Sequence, residues 1–92
     1  MNGKNELEQI LLHYGVNNQM LKAVEELTEL TEVLIKMVNK GDDLYHLIDE
    51  MADESIMLRQ IKIACCISDE ELEDRIQFKI DRQIKRINGE SE

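Results

Sequence analysis

Carboxylate pairs at a spacing of three residues occur in two short segments of this chain, which read EELTE at 25–29 and EMAD at 50–53. On an α-helix, residues three apart lie on one face, so each pair presents its oxygens in one direction. Two such pairs that faced each other would enclose a hard divalent cation. Because neither segment contains His or Cys, the oxygen ligands favour Mg²⁺ or Mn²⁺ over zinc. The predicted metal ligands are Glu26, Glu29, Glu50 and Asp53.

The two pairs occupy matching positions on their helices. Glu26 and Glu50 each immediately precede a residue that we assign to the core, Leu27 and Met51. Glu29 lies about a dozen residues before Gly41 and Glu50 about ten after it, or roughly 14–18 Å along each helix. A turn at Gly41 would therefore bring the four partly buried carboxylates to approximately the same height along the two helices. At that height they repel each other unless a cation lies among them.

Other interpretations of these acids fit less well. A di-iron carboxylate bundle uses Glu-x-x-His, which neither segment offers. An EF-hand loop is excluded, because Asp42 and Asp43 do not begin an Asp-x-Asp-x-Asp-Gly pattern. Either pair taken alone is compatible with ordinary solvated charge on a helix, and the matched arrangement of the two pairs is what favours a metal site.

The elements that position these pairs are predicted to be helices. The chain has 92 residues, of which 42% are hydrophobic and 3% aromatic, with no proline and four glycines. This composition favours one all-α domain over residues 1–92, with its core in 17–87. The predicted helices span residues 5–14, about 17–40, about 42–66 and about 68–87. Their predicted N-caps are Asn17 or Asn18, Asp42 or Asp43, and Ser68 in a capping box with Glu71.

Apolar residues recur with a helical period in the last three helices. On the second helix, the predicted inward stripe is Met20, Ala23, Val24, Leu27, Leu30, Leu34, Met37 and Val38. On the third, it is Leu44, Leu47, Ile48, Met51, Leu58, Ile61 and Cys65, and on the fourth, Leu72, Ile76, Ile80, Ile84 and Ile87. The short turn predicts that the two long helices form an antiparallel hairpin flanked by shorter N- and C-terminal helices.

Four apolar residues lie off these stripes, namely Val33, Ile35, Ile56 and Ile63. They indicate a further packing surface, and one hairpin encloses little interior of its own. We therefore expect a helical-bundle homodimer or a dimer of dimers, that is, a homotetramer.

The charge balance narrows the choice of partners. Eleven basic and twenty acidic residues give a net charge of −9, which disfavours general binding to nucleic acid. No apolar run approaches the roughly 20 residues that span a bilayer, so we expect no membrane partner.

Cys65 and Cys66 are the only cysteines and lack CxxC spacing. We interpret them as buried or half-buried reduced thiols in a cytoplasmic protein.

EELTE followed by EMAD resembles the EExxE…ExxD signature of the MazG-like, all-α nucleoside triphosphate pyrophosphohydrolases. The similarity extends over residues 20–87, and the stretch 73–87, which includes Lys79 and Arg82, is similar to the basic closing helix of small MazG-like proteins. The resemblance implies hydrolysis of the α–β phosphoanhydride of a nucleoside triphosphate, yielding a monophosphate and pyrophosphate.

The resemblance also implies roles for individual residues. The four predicted ligands would bind Mg²⁺, and Glu25, which matches the first glutamate of the motif, would position or deprotonate the attacking water. Lys79 and Arg82 are the candidates for binding substrate phosphates, with Arg86 on the same flank. No nucleobase pocket is specified. The groups that are able to stack on a base are His13, Tyr14, Tyr45, His46 and Phe78.

Two functions are compatible with these observations. The first is an Mg²⁺-dependent nucleotide pyrophosphohydrolase acting on (d)NTPs. The alternative is a non-catalytic helical homodimer, an interaction or regulatory module whose acids are surface charge. The complete set of four ligands favours the enzyme, whereas the short chain and its few aromatic residues favour the module.

Overall fold

The structure is a computed structural model that describes residues 4–41 and 43–89. Four helices follow one another: α1 (Lys4–Tyr14), α2 (Val16–Asn39), α3 (Leu44–Ala64) and α4 (Asp69–Ile87). The described residues contain no strand, which confirms the all-α prediction. Among these same residues, none of the four helices combines the length and the apolar character that crossing a bilayer requires.

The start of α2 differs from the prediction. Gly15 separates α1 from α2 with a φ of +90°, a conformation that glycine adopts without the strain of a Cβ. The helix begins immediately afterwards at Val16, so the predicted cap at Asn17 or Asn18 is wrong. Asn18 lies inside the helix, and its side-chain amide donates to the carbonyl of Tyr14 at 2.8 Å.

The caps of α3 and α4 agree with the prediction. The Asp43 side chain accepts from the backbone N–H of Tyr45 at 2.9 Å, whereas Asp42 lies outside the described residues. Ser68 and Glu71 form the reciprocal capping box, at 3.0 and 3.1 Å. The hydrogen bonds from Ser68 hold the pKa of Glu71 below its ordinary value.

The closest helix packing is between α2 and α3, with α1 lying against both. Gln19 donates from Nε2 to Oε1 of Gln60 at 2.5 Å, in a buried contact between the start of α2 and the end of α3. The interior is small and unusually polar. Its buried residues are Leu11, Ala23, Val33 and Met57, together with Gln19, Glu26, Glu54 and Gln60.

The face that α2 and α3 bury is rotated from the predicted stripes. Val33, which the prediction placed off the stripe, is only 2% exposed. Eight residues of the predicted stripes are instead at least 48% exposed, and we call them the outer apolar face. They are Val24, Leu27, Leu34, Val38, Leu44, Ile48, Met51 and Leu58. The single chain therefore leaves most of the predicted stripes uncovered and buries a narrower, more polar face of each helix. Cys65 and Cys66, which we expected to be buried or half-buried, are also exposed.

Helix α4 stands apart from the other three. Among the described residues, none of its Cα atoms lies within 8 Å of a Cα in α1, α2 or α3. An ion pair between Lys62 and Asp69 joins the end of α3 to the start of α4. The five apolar residues of the predicted α4 stripe are all exposed, namely Leu72, Ile76, Ile80, Ile84 and Ile87.

Candidate metal site

Three of the predicted ligands come together where α2 faces α3. Glu26, Glu29 and Glu50 each offer a carboxylate oxygen, and these oxygens lie within 4.8 Å of one another. Glu26 is buried at 6% exposure, while Glu29 and Glu50 are half-buried. We call this group the three-carboxylate cluster. Its oxygen-only donors suit Mg²⁺ or Mn²⁺.

Two oxygens of the cluster lack any compensating contact. Within the described part of the chain, the buried Oε2 atoms of Glu26 and Glu50 have no hydrogen-bond partner. Burying an ionised carboxylate without a partner is costly, so such a group either takes up a proton or holds a cation. Burial raises the pKa of Glu26, the contact with Lys22 partly lowers it, and the neighbouring charges of Glu29 and Asp53 raise it again. Both observations fit a site that a divalent cation would neutralise.

Two basic groups border the cluster. Lys22 Nζ lies 3.3 Å from Glu26 Oε1 and 3.4 Å from Glu25 Oε2, and these acids raise the pKa of Lys22. His46 Nε2 lies 3.7 Å from Glu50 Oε1. Each of these two groups leaves one oxygen of its glutamate uncovered, so neither fills the centre of the cluster.

Glu25 lies at the rim of the site. Its side chain is 58% exposed, and it pairs with Lys22 instead of joining the cluster. A carboxylate in this position is able to contact a water molecule beside the cluster without occupying a ligand position itself.

Asp53 lies close to the cluster but outside the 4.8 Å group. It is exposed, and its charge contributes to the raised pKa of Glu26. Since Asp53 follows Glu50 by three residues, both side chains project from neighbouring turns of α3. A change of rotamer is the step that would bring the Asp53 carboxylate to a bound cation.

One acid of this region, Glu54, was not predicted as a site residue. It is 5% exposed, and neither carboxylate oxygen has a hydrogen-bond partner in residues 4–41 or 43–89. Burial, and then the charge of Glu26, raise the pKa of Glu54. The sequence does contain a pattern that indicates its burial, because Glu50, Glu54 and Met57 recur at helical spacing. Glu54 lies between Met51 and Leu58 on the predicted α3 stripe, but only apolar residues were assigned to that stripe.

Lys79 and Arg82 are not part of this site within one chain. Both belong to α4, which does not approach α2 or α3 among the described residues. The guanidinium groups of Arg75 and Arg82 instead lie 4.6 and 5.9 Å from the centre of the Phe78 ring. At these distances, both cations interact with the π-face of Phe78.

A cleft lies at the other end of α3. It has a volume of about 840 Å³, and its lining includes Leu7, Arg59, Lys62 and Ile67. None of the candidate stacking residues lines it.

Comparisons with family models, with curated proteins and with solved structures returned no match for this chain.

Proposed function

We propose that this chain is an Mg²⁺-dependent nucleotide pyrophosphohydrolase that cleaves the α–β phosphoanhydride of (d)NTPs. The observation that carries the proposal is the three-carboxylate cluster with its two buried, uncompensated oxygens. The resemblance of EELTE and EMAD to the signature of MazG-like enzymes supplies the reaction class.

Each residue has a defined task in this proposal. Glu26, Glu29 and Glu50 would hold Mg²⁺ or Mn²⁺, with Asp53 completing the ligand set. Bound metal would offset charge on the triphosphate and lower the pKa of a water molecule. Glu25, at the exposed rim, would orient that water towards the α-phosphorus. Because the chain supplies mainly fixed charges, catalysis would rest on positioning and electrostatic stabilisation.

We further infer that α2 and α3 form an antiparallel hairpin and that the protein works as a homodimer or homotetramer. The pairing of Gln19 with Gln60 and of Glu26 with Glu50 supports the opposite directions of the two helices. The uncovered outer apolar face supports self-association. The nucleotide substrate and the two thiols suit a cytoplasmic enzyme.

The direct test is incubation with a panel of NTPs and dNTPs in the presence of Mg²⁺. The expected products are the monophosphate and pyrophosphate, resolved by anion-exchange chromatography. Release of orthophosphate with the diphosphate would show cleavage at the β–γ bond and contradict the proposal.

A matched pair of variants tests the ligand assignment. Glu50→Gln keeps the shape of the side chain and removes its charge, while Asp49→Asn makes the same change at an exposed neighbouring position. Losing a partner of a metal ligand typically costs about 10–100-fold, so losing the ligand itself should cost at least as much. Full activity in Glu50→Gln would exclude this carboxylate as a ligand, and Asp49→Asn is expected to retain wild-type activity.

The second candidate is the non-catalytic homodimer, which the outer apolar face also supports. Thermal unfolding with and without Mg²⁺ or Mn²⁺ separates the two candidates. A cation that binds only the folded protein must raise the melting temperature. The enzyme hypothesis therefore predicts an increase that Glu50→Gln abolishes, whereas the module hypothesis predicts no specific increase.

A further inference from the structure

The chain exposes more surface than a compact protein of its mass. Its accessible surface is 7306 Å², against about 5,500 Å² for a folded monomer of 10.8 kDa. Its radius of gyration is 16.3 Å, whereas a compact domain of this length has about 12 Å. The excess surface is larger than the roughly 800 Å² that one partner buries in a standard interface. The chain therefore has enough uncovered surface for a stable contact with another molecule.

Helix α4 supplies one side of that contact. Its apolar stripe extends from Leu72 to Ile87, and all five residues are exposed. Arg75, Lys79 and Arg82 project roughly 100° from the stripe at 3.6 residues per turn, so they form a basic flank directly beside it. A surface that covers the stripe would consequently lie next to these cations.

The outer apolar face of α2 and α3 supplies a matching surface. On each helix, this face is rotated by roughly 100° in the same sense from the buried contact. Since the helices are inferred to run in opposite directions, both halves of the face lie on the same side of the pair. Leu27 follows Glu26 and Met51 follows Glu50, so a helix seated there lies level with the three-carboxylate cluster.

Charge favours a second copy of this chain as the occupant. Around the cluster, Glu25, Glu26, Glu29, Glu50, Asp53 and Glu54 outnumber the bordering Lys22 and His46. Residues 79–86 of α4 instead contain four bases and the single acid Asp81. The basic end of one copy therefore complements the acidic centre of another.

We propose that α4 packs its apolar stripe on the outer apolar face of a second copy and places Lys79 and Arg82 beside that copy's three-carboxylate cluster. The phosphate-binding role of these cations rests on the proposed function, whereas the contact itself does not. Each site of the assembly then combines carboxylates from one copy with cations from the other.

Light scattering tests the contact without any activity. Ile80→Gln with Ile84→Gln interrupts the stripe, and Asp74→Gln with Asp81→Gln places the same residue type on other faces of α4. The wild type and the control pair should have the mass of an oligomer, and the stripe variant that of a monomer. A monomeric wild type, or a stripe variant that remains oligomeric, overturns the proposal.

Mixed-isotope cross-linking tests the position of the cations. Unlabelled and ¹⁵N-labelled chains are unfolded and refolded together, then treated with a carbodiimide that joins Lys to carboxylate without a spacer. The proposal predicts peptides that join Lys79 of one label to Glu25 or Glu29 of the other. If Lys79 forms such links only within chains of one label, or forms none, the placement is refuted.

Complementation between two inactive variants tests whether the contact contributes to catalysis. Glu50→Gln lacks a functional cluster, and the double variant Lys79→Ala with Arg82→Ala lacks the cations. If α4 acts in trans within a dimer, an equal mixture refolded together recovers about one quarter of the wild-type rate. No recovery, with an active wild type, refutes the contribution in trans. An inactive wild type would refute the proposed function instead, and mass and cross-links would still decide the contact.

Discussion

Glu54 is the residue whose replacement should most increase the stability of the metal-free protein. Its carboxyl group is 5% exposed and unpartnered in the described part of the chain. Replacing it with methionine keeps a similar length and fills the same space with a flexible apolar side chain. The variant Glu54→Met therefore removes a buried polar group without opening a cavity.

The size of the effect follows from the cost of such a group. A buried polar group without a hydrogen bond costs about 1–3 kcal/mol, and more if it is charged. We expect Glu54→Met to raise the free energy of unfolding at pH 7 by about 1–3 kcal/mol. With a urea m-value of about 1–2 kcal/mol/M for a small domain, the midpoint should rise by roughly 1 M.

The assay is urea unfolding in EDTA, followed by circular dichroism at one fixed protein concentration, because oligomers unfold in a concentration-dependent manner. Asp49→Met is the matched control, since it makes a similar change at an exposed site on the same helix. It should alter stability by no more than about 0.5 kcal/mol. A lower midpoint in Glu54→Met would refute the reasoning, because it would mean that the native protein compensates this carboxylate.

Two further predictions concern pH and the lysine at the site. Burial raises the pKa values of Glu26 and Glu54 above the ordinary 4.5, so the folded state binds more protons than the unfolded state. The stability that these two carboxyl groups contribute is fully present below pH 4.5 and is lost as the pH rises through their raised pKa values. The urea midpoint in EDTA should therefore fall towards pH 7. A midpoint that rose over this interval would contradict this assignment. Lys22→Met removes a cation that competes for Glu26, so Mg²⁺ should raise the melting temperature more than in the wild type. Lys36→Met, exposed on the same helix, should leave the Mg²⁺ effect unchanged, and an equal effect in both variants would rule out competition by Lys22.

The helices and most of their caps were predictable because their signals are local. Ser68 and Glu71 satisfy backbone groups within one turn, and Gly15 interrupts the helix in its own position. The meeting of Glu29 with Glu50 was also predictable, because Glu29 lies twelve residues before Gly41 and Glu50 nine residues after it.

The features that could not be predicted from the sequence depend on how the helices pack against one another. Leu27 and Val33 lie on adjacent apolar faces of α2, and periodicity alone does not tell which face α3 will cover. Glu54 was missed for a different reason, because it lies between Met51 and Leu58 in the predicted stripe of α3 but is a carboxylate, a type that is rarely buried. The separation of α4 from the other helices has no local signal either, because its isoleucine stripe fits its own chain and another copy equally well.

The bond between Gln19 and Gln60 has a consequence for the distant cluster. These two buried amides keep their hydrogen bond only in one register of α2 against α3, and a slide of one helical turn, about 5.4 Å, would break it. The same slide would separate Glu26 from Glu50 by more than the 4.8 Å that now includes them. The amide pair thus fixes the register that brings the carboxylates together, from about two helical turns away on α2 and nearly three on α3.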